Sequence, residues 1–442
     1  MTIRMDEGAA ELLDTLHRAG YAAYVVGGCV RDSLLGLTPH DWDLCTSALP
    51  QQGMELFGEE KCIPTGLQHG TVTVKQGGGL YEITTFRTEG AYTDGRHPDE
   101  VHFVPDVRED LARRDFTINA MAYNAKEGLV DPFGGQADLQ SGILRAVGVP
   151  HQRFTEDALR ILRLYRFAAR FSFSIDPPTA QAAQELCAHL DCVSVERIEE
   201  ELAKLLSAPA PAAYLDEKIL GVVLPELSPE ALAAAKPVVD ACPAGAENLP
   251  IRLAALLYSL GEDGTRRTLR RLRCSNACIE ETAVLVREVV SGVPGAFSSD
   301  TNRAIPSPAL LPAATGSHPS GRSSEKLPAR PPVSLNIYAR RLLGKYNLCT
   351  VQRLAALGTA LQPEHAADFA ALSELAERLD ADGVCCRISQ LAVNGRDLMA
   401  AGVPAGPGIR KVLEALLDGV IREEYPNERQ ALLAAVQQLA AS

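Results

Sequence analysis

The chain has 442 residues, of which 46% are hydrophobic, and a formal net charge of −13. This length is too great for one hydrophobic core, so we expect two to four domains. The sequence has no apolar run of ~18 residues, no signal-peptide pattern and no paired cysteine spacing, which argues against a membrane-spanning, secreted or zinc-binding protein and predicts a cytoplasmic one. The acidic charge argues weakly against a nucleic-acid partner, although arginines cluster locally.

The first predicted elements are a buried strand and a glycine turn. Tyr24-Val25-Val26 is β-branched or aromatic and leads directly into Gly27 and Gly28. Glycine permits positive φ and a close backbone approach. The amides of Gly27 and Gly28 are therefore candidates for binding phosphates.

Asp41 and Asp43 flank Trp42, nine residues after Asp32. We expect a strand here, which would place both carboxylates on one face, because side chains alternate along a strand. Two carboxylates on one rigid face can hold a pair of Mg²⁺ ions ~4 Å apart, the arrangement that supports an in-line phosphoryl displacement. A solvated pair at the end of a strand is the alternative, and the turn upstream favours the metal site.

Further short strands are predicted at residues 71–74, 81–86 and 142–147, and a polar segment lies between the last two of them. In that segment, Arg113 and Arg114 can neutralise a triphosphate, and Asp115 can accept a hydrogen bond from a ribose hydroxyl. Ordinary surface charge is the alternative.

A helix is predicted over residues 156–167, with Asp157 and Arg160 as neighbours on one face. Asp157 would accept a hydrogen bond and Arg160 would donate one. Cytosine and adenine present an amino donor beside a ring-nitrogen acceptor, whereas guanine and uracil present the reverse order, so this pair could select C and A without a nucleic-acid template. Arg163 and Arg166 continue the row and could reach phosphates. An ion-paired surface helix is the alternative.

The pattern of the chain changes once. Up to about residue 148, strands alternate with turns, whereas from about Glu156 onward leucine and alanine recur at helical spacing. Residues 291–332 are rich in Pro, Ser and Gly, which predicts a flexible insertion. The fold class expected is an α/β head followed by an all-helical remainder.

Taken in order, these motifs resemble those of class II CCA-adding enzymes. These are bacterial tRNA nucleotidyltransferases of the DNA polymerase β superfamily and are closely related to poly(A) polymerases. The motifs cover about the first 205 residues, and residues 194–198 look like the family's neck motif. Residues 394–399 and 406–408 are similar to the family's tail, where tRNA is held.

The resemblance implies a role for each motif residue. Asp41 and Asp43 would be the Mg²⁺ ligands, with Glu82 as a candidate third carboxylate. The nucleotide-binding residues would be Gly28 and Arg31 at the nucleotide, Arg114 at its phosphates, Asp115 at its ribose, Asp157 and Arg160 at its base, with Arg163 and Arg166 nearby. The segment 88–103 matches the mobile loop that these enzymes use when switching from C to A.

The same resemblance implies a domain order: a nucleotidyltransferase head at 1–150, a helical neck at 151–205, a helical body at 206–345 and a tRNA-binding tail at 346–442. The chain would be a monomer or homodimer. It would add and repair the 3′-terminal CCA of tRNA from CTP and ATP, with release of pyrophosphate.

Three restricted relatives remain as alternatives: an A-adding enzyme, a CC-adding enzyme and a poly(A) polymerase. The segment 88–103 argues against CC addition. Tyr258 and Ser259 stand where some relatives carry a His-Asp phosphohydrolase signature, so we infer no phosphohydrolase activity. The arginine cluster at 266–273 could contact RNA or could form a solvated helix face.

Overall fold

The computed structural model describes residues 3–90, 100–290 and 334–441. The centre of the predicted mobile loop, residues 91–99, and the predicted insertion at 291–332 lie outside the described residues. The described strands all belong to the first 175 residues: β1 (Ala23–Val26), β2 (Leu44–Thr46), β3 (Cys62–Gly66), β4 (Thr71–Gln76), β5 (Gly79–Thr85), β6 (Arg87–Glu89), β7 (Val101–Phe103), β8 (Ala122–Asn124), β9 (Gly128–Val130), β10 (Ile143–Leu144) and β11 (Ser174–Ile175).

Helices are interspersed among these strands and make up nearly all of the regular structure that follows them. In chain order they are α1 (Glu7–Arg18), α2 (Gly28–Leu34), α3 (Pro50–Phe57), α4 (Val107–Ala112), α5 (Gly135–Ser141), α6 (Pro150–Glu156), α7 (Leu159–Phe171), α8 (Pro177–Glu185), α9 (Val195–Leu206), α10 (Glu217–Val223), α11 (Pro229–Ala241), α12 (Leu249–Leu257), α13 (Gly261–Arg271), α14 (Asn276–Val290), α15 (Leu335–Lys345), α16 (Leu348–Leu361), α17 (Ala366–Ala381), α18 (Gly395–Ala400), α19 (Gly408–Ile421) and α20 (Arg429–Ala441). The described helices are all too short or too polar to cross a membrane. The predicted α/β head and helical remainder are confirmed.

A seven-stranded mixed sheet forms the centre of the head, in the order β3-β4-β5-β2-β1-β8-β9. β1 is buried along its whole length, as expected for a β-branched and aromatic strand in the middle of a sheet. It pairs antiparallel with β2 and β8, whereas β2 pairs parallel with β5. The last residues of β1, the start of β2 and the part of β5 around Ile83 are therefore neighbours beside the glycine turn that follows β1.

Two strand predictions need correction. Asp41, Trp42 and Asp43 are not in a strand, because β2 begins only at Leu44. The Asp43 carbonyl still accepts a hydrogen bond of 2.9 Å from the Val26 amide, so the pair stands on an extended lead-in that is tied to β1. The strand expected at 142–147 shrinks to β10, since its partner β11 is only two residues long.

The helix predicted over 156–167 is also wrong in its first part. α6 ends at Glu156 and α7 begins at Leu159, with Asp157 in an extended conformation between them. The Asp157 side chain accepts a hydrogen bond of 3.1 Å from the Leu159 amide. Short acidic side chains compete with the helix backbone in this way, and periodicity does not reveal it.

The chain divides into two compact units. The first comprises Met1–Lys236 with Ala244–Ala246 and Arg270–Cys274, and the second comprises the rest. Inside the first unit, an apolar cluster that includes Tyr24, Phe86 and Leu111 packs against the sheet. In the second unit, α18, α19 and α20 enclose a separate core that includes Leu398, Leu416 and Leu432. The four-part domain division remains a prediction.

Candidate active site

The glycine turn after β1 leaves room for an arginine. Gly27 has φ of +80°, a conformation that favours glycine, and a Cβ at this position would lie 3.0 Å from Nη1 of Arg114. The Gly27 amide donates to the carbonyl of Met121 at 3.0 Å. Of the two glycine amides suggested for phosphate binding, the amide of Gly28, in the first turn of α2, is therefore the better candidate.

Arg31 projects from α2 into the interior, where it is only 4% exposed. Its guanidinium donates to Asp32 at 2.8 Å and to Asn119 at 2.5 Å. It also lies 5.2 and 5.0 Å from the ring centroids of Phe167 and Phe171, within cation–π range. Arg31 thus joins α2 to α7, and a direct contact with nucleotide remains a prediction.

Asp41 and Asp43 are both exposed, whereas Trp42 between them is half-buried. Leu44 pairs with Ile83 in the parallel β2–β5 ladder, so Asp43 and Glu82 each stand one residue before the paired positions. The protein around Asp43 displaces water although the side chain is exposed, and this raises the pKa of its carboxyl. The charges of Glu82 and Asp41 raise that pKa further, and the charge of Arg114 lowers it.

The chemistry of these carboxylates fits a divalent cation. Within the described residues, Asp41, Asp43 and Glu82 form no ion pair with a lysine or arginine, and the charge of Arg114 offsets the repulsion at Asp43 only in part, since the pKa of Asp43 remains raised. Carboxylate oxygens are the ligands that Mg²⁺ prefers. The described part of the chain contains no group of three or more acidic, His or Cys side chains arranged to bind a metal, and Glu82 as a third carboxylate stays a prediction.

Arg114 and Asp115 follow α4 and face different partners. Arg114 donates from Nη2 to Asp110 at 3.3 Å, whereas Asp115 accepts from Asn119 at 3.0 Å and from Nη2 of Arg163 at 2.6 Å. Although burial alone would raise the pKa of Asp115, Arg163 and Asn119 hold it well below its ordinary value. Asp115 is therefore a fixed, ionised acceptor.

Asp157 and Arg160 are held by the protein, and Asp157 is not on the helix face predicted for it. Asp157 accepts from Arg197, the arginine of the predicted neck motif, at 2.8 Å. Arg160 donates to Glu156 at 2.7 Å and to the carbonyl of Arg113 at 3.1 Å. The break between α6 and α7 and the contact with α9 therefore set the position of Asp157.

Arg163 and Arg166 share one buried acid. Glu201 on α9 is 5% exposed and pairs with Arg166 at Nε and with Arg163 at 3.6 Å. The Arg166 guanidinium also lies 3.8 Å from the Phe167 ring centroid. Burial lowers the pKa of Arg166, partly offset by Glu201. The predicted arginine row is thus an internal network with neutralising partners.

Sequence reasoning missed three residues that hold this site: Asp110, Asn119 and Glu201. Asp110 precedes Arg113 and Arg114 by three and four residues, a spacing that could have identified the contact. Glu201 falls among the apolar positions of α9, and an acid in an apolar stripe indicates a buried ion pair. The contact of Asn119 with Arg31, 88 residues away in the chain, leaves no such pattern.

Comparison with known proteins places this geometry in a family. Residues 23–145 match the model of the poly A polymerase head domain, residues 172–230 match the model described as "Probable RNA and SrmB- binding site of polymerase A", and residues 334–436 match the model of tRNA nucleotidyltransferase domain 2. The chain is 36% identical over 431 residues to the CCA-adding enzyme of Lactobacillus delbrueckii subsp. bulgaricus, covering 96% of each chain. It is 35% identical over 434 residues to that of Geobacillus thermodenitrificans, covering 96% of this chain and 95% of the relative.

A solved structure agrees with these sequence matches. The crystal structure of the Bacillus stearothermophilus CCA-adding enzyme in complex with CTP is 29% identical and superimposes with a TM-score of 0.76. The match covers 99% of this chain and 98% of that one.

Proposed function

This chain belongs to the CCA-adding enzymes, and we propose that Asp41 and Asp43 carry its chemistry while the side chains around α7 select the nucleotide. The enzyme adds and repairs the 3′-terminal CCA of tRNA from CTP and ATP, with release of pyrophosphate. The observation that best supports the assignment of residues is the charge arrangement at the start of β2, where carboxylates without an ion-pair partner among the described residues experience the charge of Arg114 beside the glycine turn.

Asp41 and Asp43 would hold Mg²⁺, since two carboxylates without a basic partner among the described residues suit a hard cation. When bound, the metal lowers the pKa of the attacking 3′-hydroxyl and stabilises charge on the leaving oxygens. The protein's own part is to fix both carboxylates on the short segment tied to Val26. The RNA hydroxyl attacks the α-phosphate directly, so no covalent enzyme intermediate is required.

The base would be read by Asp157 as hydrogen-bond acceptor and Arg160 as donor. Their positions are set by Arg197, Glu156 and the carbonyl of Arg113 rather than by a shared helix face. Asp157 as acceptor and Arg160 as donor would match the shared edge of C and A without a template strand.

The remaining motif residues would hold the sugar and phosphates. Arg114 and the Gly28 amide stand beside the glycine turn and suit the triphosphate, whereas Asp115 suits a ribose hydroxyl. Arg31, Arg163 and Arg166 would support the nucleotide from within the ion-pair network. Contact with phosphate would require these arginines to share or exchange their present partners.

The other assignments concern the whole chain. We propose a nucleotidyltransferase head at 1–150, a neck at 151–205, a body at 206–345 and a tail at 346–442 that binds tRNA. A tRNA substrate suits a cytoplasmic enzyme, acting as a monomer or homodimer. Arg266 and Arg271 pair with acids, so the arginine cluster at 266–273 presents less free charge to RNA than its sequence suggests.

Sequencing the product 3′ ends tests this function. A tRNA that ends at the discriminator base is incubated with Mg²⁺ and with CTP, ATP or both. We expect CC from CTP alone and CCA from both nucleotides. A product that stops at CC with both nucleotides, a single added A on this substrate, or a long A tail would contradict CCA addition and identify the restricted relative instead.

A further inference from the structure

Five charged side chains form one cluster beside the glycine turn. Glu89 pairs with Arg87 at 3.0 Å and with Arg113 at 2.8 Å. Asp110 pairs with Arg113 at 3.0 Å and with Arg114 at 3.3 Å. Acids and arginines therefore alternate from the β6 hairpin to Arg114.

Asp110 is the most deeply buried member of this cluster, with 0% exposure. Its Oδ1 accepts from Nε of Arg113 at 3.0 Å and from the Arg87 amide at 3.3 Å, and its Oδ2 accepts from Nη2 of Arg114. Burial raises the pKa of this carboxyl, but Arg113 and Arg114 outweigh burial and keep the pKa below its ordinary value. Asp110 is consequently a fixed negative charge.

Arg114 has donors that the cluster does not use within the described residues. Its Nη1 stands at the Gly27 turn, and its buried Nε has no hydrogen-bond partner in the described chain. An unsatisfied buried donor is costly, and a ligand oxygen would relieve that cost.

We propose that Asp110 is a positioning residue for the triphosphate: it holds Arg114 by one nitrogen and so directs the others toward the glycine turn. This inference rests on the proposed function, in which Arg114 binds phosphate. An arginine released from its carboxylate has many rotamers, and few of them present Nη1 beside Gly27.

Removing Asp110 has a second effect of opposite sign. The cluster would gain net positive charge and attract any anion more strongly at long range. The two effects predict opposite changes in affinity for a triphosphate, so the measurement decides between positioning and simple charge competition.

The experiment measures the dissociation constants of CTP and CMP on the full chain with Ca²⁺ in place of Mg²⁺ and without tRNA. In the Asp110→Asn variant we expect the ratio Kd(CMP)/Kd(CTP) to fall about tenfold, the factor that a change of ~1.4 kcal/mol produces. Glu109→Gln is the matched control, because Glu109 is an exposed acid on the same helix, and it should keep the wild-type ratio. An unchanged ratio, or tighter CTP binding, in Asp110→Asn overturns the proposal.

Arg114→Ala separates this inference from the site assignment. If Arg114→Ala leaves the ratio unchanged, the phosphate role of Arg114 fails. If Arg114→Ala lowers the ratio and Asp110→Asn does not, only the positioning role fails. The double variant should show the same ratio as Arg114→Ala alone, and an additional fall would mean that Asp110 acts through the fold rather than through Arg114.

Discussion

The two halves of the candidate site differ in how their charges are balanced. Asp41 and Asp43 are exposed and have no basic ion-pair partner in the described chain, whereas Asp115 pairs with Arg163 at 2.6 Å and Asp157 pairs with Arg197 at 2.8 Å. The half that would read the nucleotide is thus held in place by the protein's own ion pairs. The half that would carry the chemistry would need a cation to balance its charge.

The two halves should also differ in how much folding stability a substitution costs. Breaking a buried pair strands its partner at a cost of ~3–5 kcal/mol, so changes at Glu201 threaten folding as well as function. Neutralising an exposed carboxylate in a repulsive pair carries no such cost. Variants of Asp41 and Asp43 should therefore impair chemistry without loss of folding stability, whereas variants around α7 should impair both.

The largest expected effect comes from the catalytic half. Asp43→Asn and Asp41→Asn should each lower the rate of nucleotide addition by at least about 10³-fold, because loss of a metal ligand removes several kcal/mol of transition-state stabilisation. Asp14→Asn, at an exposed acid on α1, is the control. Near wild-type addition by either site variant in Mg²⁺ would contradict the metal assignment. Loss of tRNA binding in either variant would contradict a role confined to the chemical step.

A smaller effect is expected from the reading half. Asp157→Asn can still accept from Arg197, but its amide also offers a donor to the base. Incorporation of UTP relative to CTP should rise about tenfold, since a mismatched polar contact costs ~1–3 kcal/mol. Competition between the two nucleotides on one tRNA measures the ratio, and wild-type selectivity in this variant would show that Asp157 does not read the base.

Inverting the pair by exchanging Asp157 and Arg160 is a poorer test. It would place an arginine against Arg197 and an aspartate against Glu156, so like charges would meet at both positions. We expect this double variant to lose stability before it reveals any new base preference.

The dependence of folding stability on pH gives a further test of the carboxylate pair. The pKa of Asp43 is raised in the folded protein, so the folded state binds this proton more tightly than the unfolded state does. Burial of the Asp43 charge, with repulsion from Glu82 and Asp41, should thus have no effect at low pH and should destabilise the metal-free protein as pH rises through the raised pKa. Asp43→Asn should melt at a higher temperature than the wild type at neutral pH without metal.

Divalent cation provides the control for that measurement. Mg²⁺ should raise the melting temperature of the wild type at neutral pH more than that of Asp43→Asn. Equal increases in the melting temperatures of the two proteins would mean that the cation binds at another site.

The smallest expected effect compares two neighbouring arginines on α13. Arg266 pairs with Glu262 and Glu280, whereas Arg267 is exposed and makes no ion pair within the described residues. If RNA contacts this face, Arg267→Ala should reduce the slope of log affinity against log salt by ~0.7–0.9, and Arg266→Ala should reduce it less. A tRNA affinity that does not depend on salt would contradict a phosphate contact here.

Local residue patterns along the chain predicted several of the secondary-structure elements. β1, the turn at Gly27 and the helical remainder follow from residue type and spacing, and the residues proposed for the site rest on their motifs. The break at Asp157 was missed because an aspartate capping the next helix looks the same as one inside a helix. Long-range partners such as Glu201 for Arg166 depend on packing between α7 and α9, which spacing along one segment does not specify.

The most direct test of the contrast between the two halves is equilibrium binding of CMP and UMP to the wild-type protein, with and without Mg²⁺. Neither ligand carries the triphosphate that a metal would bridge, so the measurement isolates base reading. If the protein alone organises Asp157 and Arg160, CMP should bind more tightly than UMP by the same factor in EDTA and in Mg²⁺. A preference for CMP that appears only with metal would contradict a reading half organised in advance.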